Sequence, residues 1–146
     1  MKIYLDVCCL GRPFDEPLSD RVRLEAEAVT VILERCEIGI WQMLSSSIII
    51  HEISQIPDTE KRDTIMGLQS HYAAFIELDD EITRRAEEFE KFSIKPFDAL
   101  HLASAEKGET DVFLTTDDKF LKRAQKLNLA FEVANPLSFV TKEINE

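Results

Sequence analysis

The chain has 146 residues, 45% of them hydrophobic, and a formal net charge of −11, which suits a single domain over 1–146 built on one core. Its apolar runs fall well short of the ~20 residues that cross a bilayer, and no basic region leads into a long apolar stretch, so the expectation is a soluble cytoplasmic protein with no membrane partner. Three cysteines without a CxxC metal pair form no disulfide framework and read as reduced, buried thiols, while the acidic balance argues against general nucleic-acid binding.

Residues 2–6, KIYLD, predict a short strand ending on Asp6, and Gly11, Pro13 and Pro17 predict a loop after it. From Ser19 or Asp20, both good N-caps, Val22, Ala26, Val29 and Leu33 recur at the spacing of an amphipathic helix that runs to about Cys36. Gly39 stops it. Residues 40–44, IWQML, predict a second strand, and Ser45 to Ser47 offer a cap for a helix carrying Glu52, on which Ile49, Ile53 and Ile56 share a face. Pro57 ends that segment, and helical spacing resumes over 59–74 through Ile65, Leu68 and Tyr72, with a short strand near Phe75 to Leu78. Ile82, Ala86 and Phe89 outline another helix. Pro96 sits in the first turn of the next, which also carries Asp98. Residues 112–115, VFLT, predict a strand, Phe120, Leu121 and Ala124 a helix, and 130–134 a final strand. Alternating strands and helices predict a parallel α/β sheet, whose functional residues gather beyond the carboxyl ends of its strands.

Asp6 and Asp117 directly follow strands, and Glu52 and Asp98 lie on helices whose first turns point to the same edge. Carboxylates drawn together repel one another unless a cation sits among them, and a hard divalent ion such as Mg²⁺ prefers oxygen donors. Each acid has an ordinary reading as well. Asp6 serves as a loop cap, Asp98 and Asp117 as helix caps, and Glu52 as a solvated helix residue. Taken one at a time those readings suffice; taken together they leave four acids at one edge unexplained. Lys119, Lys122, Arg123 and Lys126 follow Asp117 closely and are either a solvated helix face or a contact for phosphates. Arg12, likewise, either reaches a phosphate or keeps its loop soluble.

Other constellations fall away. His51-Glu52-Ile53-Ser54-Gln55 begins like a zinc-protease helix but has Gln55 in place of the second histidine. Only four glycines are present, with no glycine-rich phosphate loop and no nucleophile elbow, and Cys8, Cys9 and Cys36 have no histidine close in sequence. His101, one turn after Asp98, reads as a histidine bonded to a backbone group or carboxylate rather than as a metal ligand.

The segments IYLD (Asp6), SSSIIIHE (Glu52), PFDALHLASA (Asp98) and LTTDDKF (Asp117) together resemble the PIN-domain family of metal-dependent ribonucleases, many of them VapC-like toxins of toxin–antitoxin pairs. The resemblance spans nearly the whole chain. It implies a three-layer α/β/α domain with a central parallel sheet, and Mg²⁺ or Mn²⁺ held by Asp6, Glu52, Asp98 and Asp117. Asp6 and Asp98 would be direct ligands, Glu52 a ligand or the base that orients water, and Asp117 a ligand or one step removed. Thr115 or Thr116 would hydrogen-bond water there. An RNA substrate, an antitoxin partner and a homodimer follow from the same resemblance, with helices 20–36 and 59–74 as a dimer face or simply as core. Two departures stand out. Val7, Cys8 and Cys9 occupy positions where Ser, Thr or Asn is common, and Asp118 competes with Asp117, although Phe120 at three residues on matches Asp117. The alternative is a PIN-like binding or scaffolding module whose acidic surface faces a basic partner. A phosphoacceptor site is weaker, because LDVCC lacks paired aspartates.

Overall fold

Lys2–Leu5 is buried almost from end to end, as a strand covered on both faces must be, and it forms the central strand β1 of a parallel sheet. The computed structural model describes residues 1–144. Four more strands complete the sheet: β2 (Gln42–Ser46), β3 (Ala74–Ile76), β4 (Val112–Leu114) and β5 (Glu132–Ala134). Their order is β3-β2-β1-β4-β5, all parallel, with Tyr4 in register with Leu44 on one side and Phe113 on the other. Helices flank the sheet in the expected α/β/α layering. They are α1 (Val7–Gly11), α2 (Asp20–Glu37), α3 (Ser47–Ser54), α4 (Thr59–Leu68), α5 (Asp80–Glu90), α6 (Pro96–Lys107), α7 (Asp118–Gln125) and α8 (Pro136–Ile144). Packing joins α2 to α8, and α6 to both α5 and α3.

The strand order decides where function can sit. From β1 the chain first builds outward through β2 and β3, then returns to add β4 and β5 on the other side. The crevice of an open parallel sheet opens where that direction reverses, beyond the strand ends, here between β1 and β4. Asp6 follows β1 directly and its N–H donates to the Leu114 carbonyl at 3.0 Å, which pins the first acid to that crevice.

Several sequence expectations shift. Residues 7–11 form a short helix and Arg12–Phe14 a 3₁₀ turn where a loop was expected, because the Asp6 carboxylate caps the Val7 N–H and nucleates the turn. The second strand begins at Gln42 and runs through Ser45 and Ser46. Two fully buried serines fit a strand because each hydroxyl has a partner, Gln69 Oε1 at 2.6 Å for Ser45 and the Tyr4 hydroxyl at 2.7 Å for Ser46. The core face of α2 is Glu25, Ala28, Val29 and Ile32 rather than the stripe through Val22, Ala26 and Leu33. Helix α4 stops at Leu68 and a 3₁₀ turn over Gln69–His71 follows, leaving Tyr72 exposed. The third and fifth strands are shorter than expected, and α8, with Phe139 and Val140 buried, had no counterpart in the sequence reading. Among the described residues no helix is long and apolar enough to cross a membrane.

Candidate active site

Asp6 is buried at 6% exposure, and both of its oxygens are held. Oδ1 accepts from the Val7 N–H at 2.9 Å, and Oδ2 accepts from the Thr115 hydroxyl at 2.9 Å and from the Cys8 thiol at 3.4 Å. Cys8 therefore supplies, weakly, the polar contact that its position seemed to lack. The Thr115 hydroxyl also accepts the Asp117 N–H at 3.2 Å, so one buried threonine braces the first acid and the loop of the fourth. Its proton goes to Asp6.

Glu52 is not a solvated helix residue. Its Oε1 lies 2.9 Å from Nε2 of His101, and Nδ1 of His101 lies 2.7 Å from the Tyr4 hydroxyl, which in turn meets Ser46 Oγ at 2.7 Å. Tyr4, Ser46 and His101 are fully buried. The Ile49 N–H already donates to Ser46 Oγ, so with a neutral imidazole a single hydrogen-bond order satisfies every group: Ser46 donates to Tyr4, Tyr4 to Nδ1, and Nε2–H to Glu52. Burial works against a charge on His101, but the Glu52 hydrogen bond and the nearby charges of Asp6, Glu52 and Asp98 outweigh it, so its pKa lies above the ordinary histidine value. Nε2 is also 3.9 Å from Asp6 Oδ1. Ligand atoms of Asp6, Glu52 and His101 all fall within 4.8 Å of one another.

Asp98 and Asp117 stand outside that tight group but line the same open cleft of about 360 Å³ as Asp6 and Glu52. Asp98 lies in the first turn of α6, whose N-cap is Lys95, so it is not the cap itself. Its half-buried carboxyl makes no hydrogen bond or ion pair among the described residues. Burial, reinforced by the charges of Asp6, Asp117 and Glu52 against a smaller pull from His101, pushes its pKa up to about 6. Asp117 caps α7, its Oδ1 accepting from the Lys119 and Phe120 N–H groups at 3.1 Å each, which leaves Oδ2 without a partner among the described residues. Asp118 turns away and is gripped by both terminal nitrogens of Arg21, at 2.6 and 2.8 Å. That settles the geometry of the pair: Asp117 faces the cleft and Asp118 is an ion-pair partner. His51 stacks on Phe97 with ring centroids 5.6 Å apart and ties the helix of Glu52 to that of Asp98.

The surrounding charges are sorted. Arg12 and Lys61 also line the cleft, but Arg12 is bound to Glu25 at 3.0 Å and Asp15 at 3.0 Å, and Lys61 to Asp15 at 2.8 Å. Arg12 is thus a brace under the cleft wall and not a free contact. Among the described residues no lysine or arginine lies within ion-pair distance of Asp6, Glu52, Asp98 or Asp117, although Glu25, Asp15 and Asp118 nearby are all paired. The four carboxylates offer only oxygen donors, are partly desolvated and have no lysine or arginine beside them among the described residues, which fits a hard divalent ion. The cysteines are free: burial holds the Cys9 thiol well above its usual pKa and pushes Cys36 up to about 11.

Fold and cleft define a parallel α/β protein with an acidic centre at its topological switch point. The sequence pattern of the PIN domain matches residues 3–126, and the chain belongs to that family. Its fold is similar to that of FitAcB from Neisseria gonorrhoeae, with a TM-score of 0.61 at 16% identity, covering 92% of this chain and 97% of that one. VapBC2 from Rickettsia felis, a structure bound to a DNA fragment from their promoter, gives a TM-score of 0.57 at 12% identity over 92% and 98% of the two chains. PAE2754 from Pyrobaculum aerophilum gives 0.55 at 13% identity over 100% and 91%. Comparison with curated proteins gives no match.

Proposed function

We propose that this chain is a cytoplasmic, divalent-metal-dependent endoribonuclease whose working residues are Asp6, Glu52, Asp98 and Asp117, and that it acts as the toxin of a toxin–antitoxin pair. The observation that carries the reading is the isolation of those four acids. They line one cleft at the switch point, and no lysine or arginine among the described residues neutralises them. An Mg²⁺ or Mn²⁺ ion held by these carboxylates supplies Lewis acidity at a phosphodiester oxygen and makes water a stronger acid.

The chain's own groups do the rest. Asp6, fixed through both oxygens, cannot swing away from the cleft, and the capped Asp117 offers its free Oδ2 from a rigid helix start. Asp98, whose pKa burial and the neighbouring carboxylates push up to about 6, is disfavoured as a bare anion and gains when positive charge arrives. Glu52, oriented by His101, accepts the proton of the water that attacks phosphorus. The P–O bond to the leaving ribose oxygen then breaks, and that oxygen takes up a proton. The toxin assignment draws support from the family and from the likeness to VapBC2, and it carries a homodimer and an antitoxin that covers the acidic cleft.

The test is cleavage of a labelled single-stranded RNA. The wild type is expected to cut it in Mg²⁺ or Mn²⁺ and to stop in EDTA, while Asp6→Asn and Asp98→Asn, which remove ligand charge at nearly constant volume, are expected to be inactive yet folded. Undiminished cleavage by either folded variant, or in EDTA, overturns the assignment. Sedimentation at the mass of one chain overturns the homodimer alone.

A further inference from the structure

Of the seventeen lysines and arginines, nine are ion-paired and Arg35 lies over the Trp41 ring. Six of the remaining seven are Lys91, Lys95, Lys119, Lys122, Arg123 and Lys126, and the seventh is Arg84. They sit at the end of α5, just before α6, and along α7. All six are exposed and have no acidic partner within ion-pair distance among the described residues. In a chain with eleven more negative than positive charges, scattered cations would find acids. These do not, and three of them, Lys95, Lys119 and Arg123, stand beside the acids Asp98 and Asp117.

A small hollow of about 40 Å³ borders two of the acids on this side. Lys95, Lys119 and Arg123 line it together with Ser93, Asp98 and Asp117, and the last two also line the acidic cleft. Next to it lies a second hollow lined by Phe92, Lys126, Leu127 and Asn128 together with Phe89 and the Arg85–Glu88 ion pair. Phe92 is 63% exposed, and an aromatic ring left in water close to exposed cations is what an unpaired base stacks on. Ser93, in the left-handed region at φ 65°, turns the chain between Phe92 and Lys95 so that both border this surface.

We propose that a single-stranded RNA leaves the acidic cleft along this groove, with Lys95, Lys119 and Arg123 on its phosphates and Phe92 under one of its bases. The proposal rests on the nuclease reading and adds the direction and chemistry of the strand's path. An acidic protein segment is the competing occupant, but it gives no use to the exposed ring of Phe92 beside Lys126. Duplex RNA has no free base to stack there and would present its phosphates to a broad face rather than a channel.

The test is fluorescence anisotropy with a short labelled single-stranded RNA across a salt series, in EDTA so that the strand stays whole. Single strands give a slope of log affinity against log salt of about −0.7 per phosphate neutralised, so Lys119→Ala/Arg123→Ala is expected to flatten the slope by about 1.4. Phe92→Ala is expected to weaken binding about tenfold with the slope unchanged, since it removes stacking and no charge. Lys107→Ala, at an ion-paired lysine of α6, is the control and should match the wild type. All substituted positions are exposed, and far-UV circular dichroism verifies their folding. Wild-type affinity and slope in both groove variants overturn the groove while leaving metal-dependent cleavage, if observed, to stand. Failure of the wild type to bind or cut RNA overturns both readings. Tighter binding of duplex RNA, or groove-dependent capture of an oligoglutamate peptide with no change in the RNA slope, overturns the proposed occupant.

Discussion

Asp98→Asn is expected to make the metal-free protein more stable, and only above a defined pH. The Asp98 carboxyl is raised from 3.8 to about 6 because burial and three neighbouring carboxylates disfavour its charge. A folded-state pKa above the unfolded one means that the native state binds the proton more tightly. Stability is therefore highest below about pH 4 and declines as pH rises through about 6, the reverse of a salt-bridged aspartate. A shift of about 2 units corresponds to about 3 kcal/mol. Because the group is only half-buried, solvent screening reduces this to about 1–2 kcal/mol. At this chain length that is an increase in Tm of about 3–6 °C for Asp98→Asn at neutral pH in EDTA, vanishing near pH 4, where both side chains are neutral. Scanning fluorimetry over pH reads it directly. Adding Mn²⁺ should raise the wild-type Tm and leave that of the variant almost unchanged. A variant less stable than wild type at neutral pH, or a gain equal at all pH values, refutes the electrostatic picture of the cleft.

His101→Phe removes the donor to Glu52 and the acceptor of the buried Tyr4 hydroxyl, so urea unfolding should show a loss of about 1–3 kcal/mol and Mn²⁺ affinity should fall with it; wild-type values for both would deny His101 its positioning role. Arg12→Ala leaves the fully buried Glu25 with only Arg21 and Asn135, and should lower stability by about 2 kcal/mol without changing which ion binds; an unchanged denaturation midpoint would show that Arg12 is not a brace. Gly108→Ala places a Cβ 2.9 Å from Ile76 Cδ1 and 3.3 Å from Leu44 Cδ1, at the end of α6 against the sheet, and should lower the Tm through about 1–2 kcal/mol of overpacking; a neutral outcome would mean that Ile76 moves aside freely.

The four acids were legible because each is tied to a local signal: Asp6 and Asp117 end apolar runs, Asp98 follows a proline that opens a helix, and Glu52 follows a serine cap. The sheet was legible for the same reason, since KIYL and VFL are too short and too apolar to be anything but covered strands. The wiring between them was not. His101 reaches Tyr4 and Glu52 across 97 and 49 residues, a meeting set by the parallel register of β1 and β2 and by the packing of α6 on α3, neither of which a single sequence displays. Glu25 misled the placement of the α2 face, because a carboxylate counts as polar in any periodicity even when two arginines and an asparagine let it sit in the core. Ser45 and Ser46 misled the second strand likewise. A buried serine looks like a cap until its long-range partner is known.

The measurement that reaches the central claim most directly is anomalous diffraction from a crystal soaked in Mn²⁺. A peak coordinated by Asp6 together with Glu52 or Asp98, and absent from Asp6→Asn crystals, is the result expected. A fully soaked wild-type crystal with no peak in the cleft, or with the ion bound elsewhere, would contradict the claim that these carboxylates exist to hold a cation.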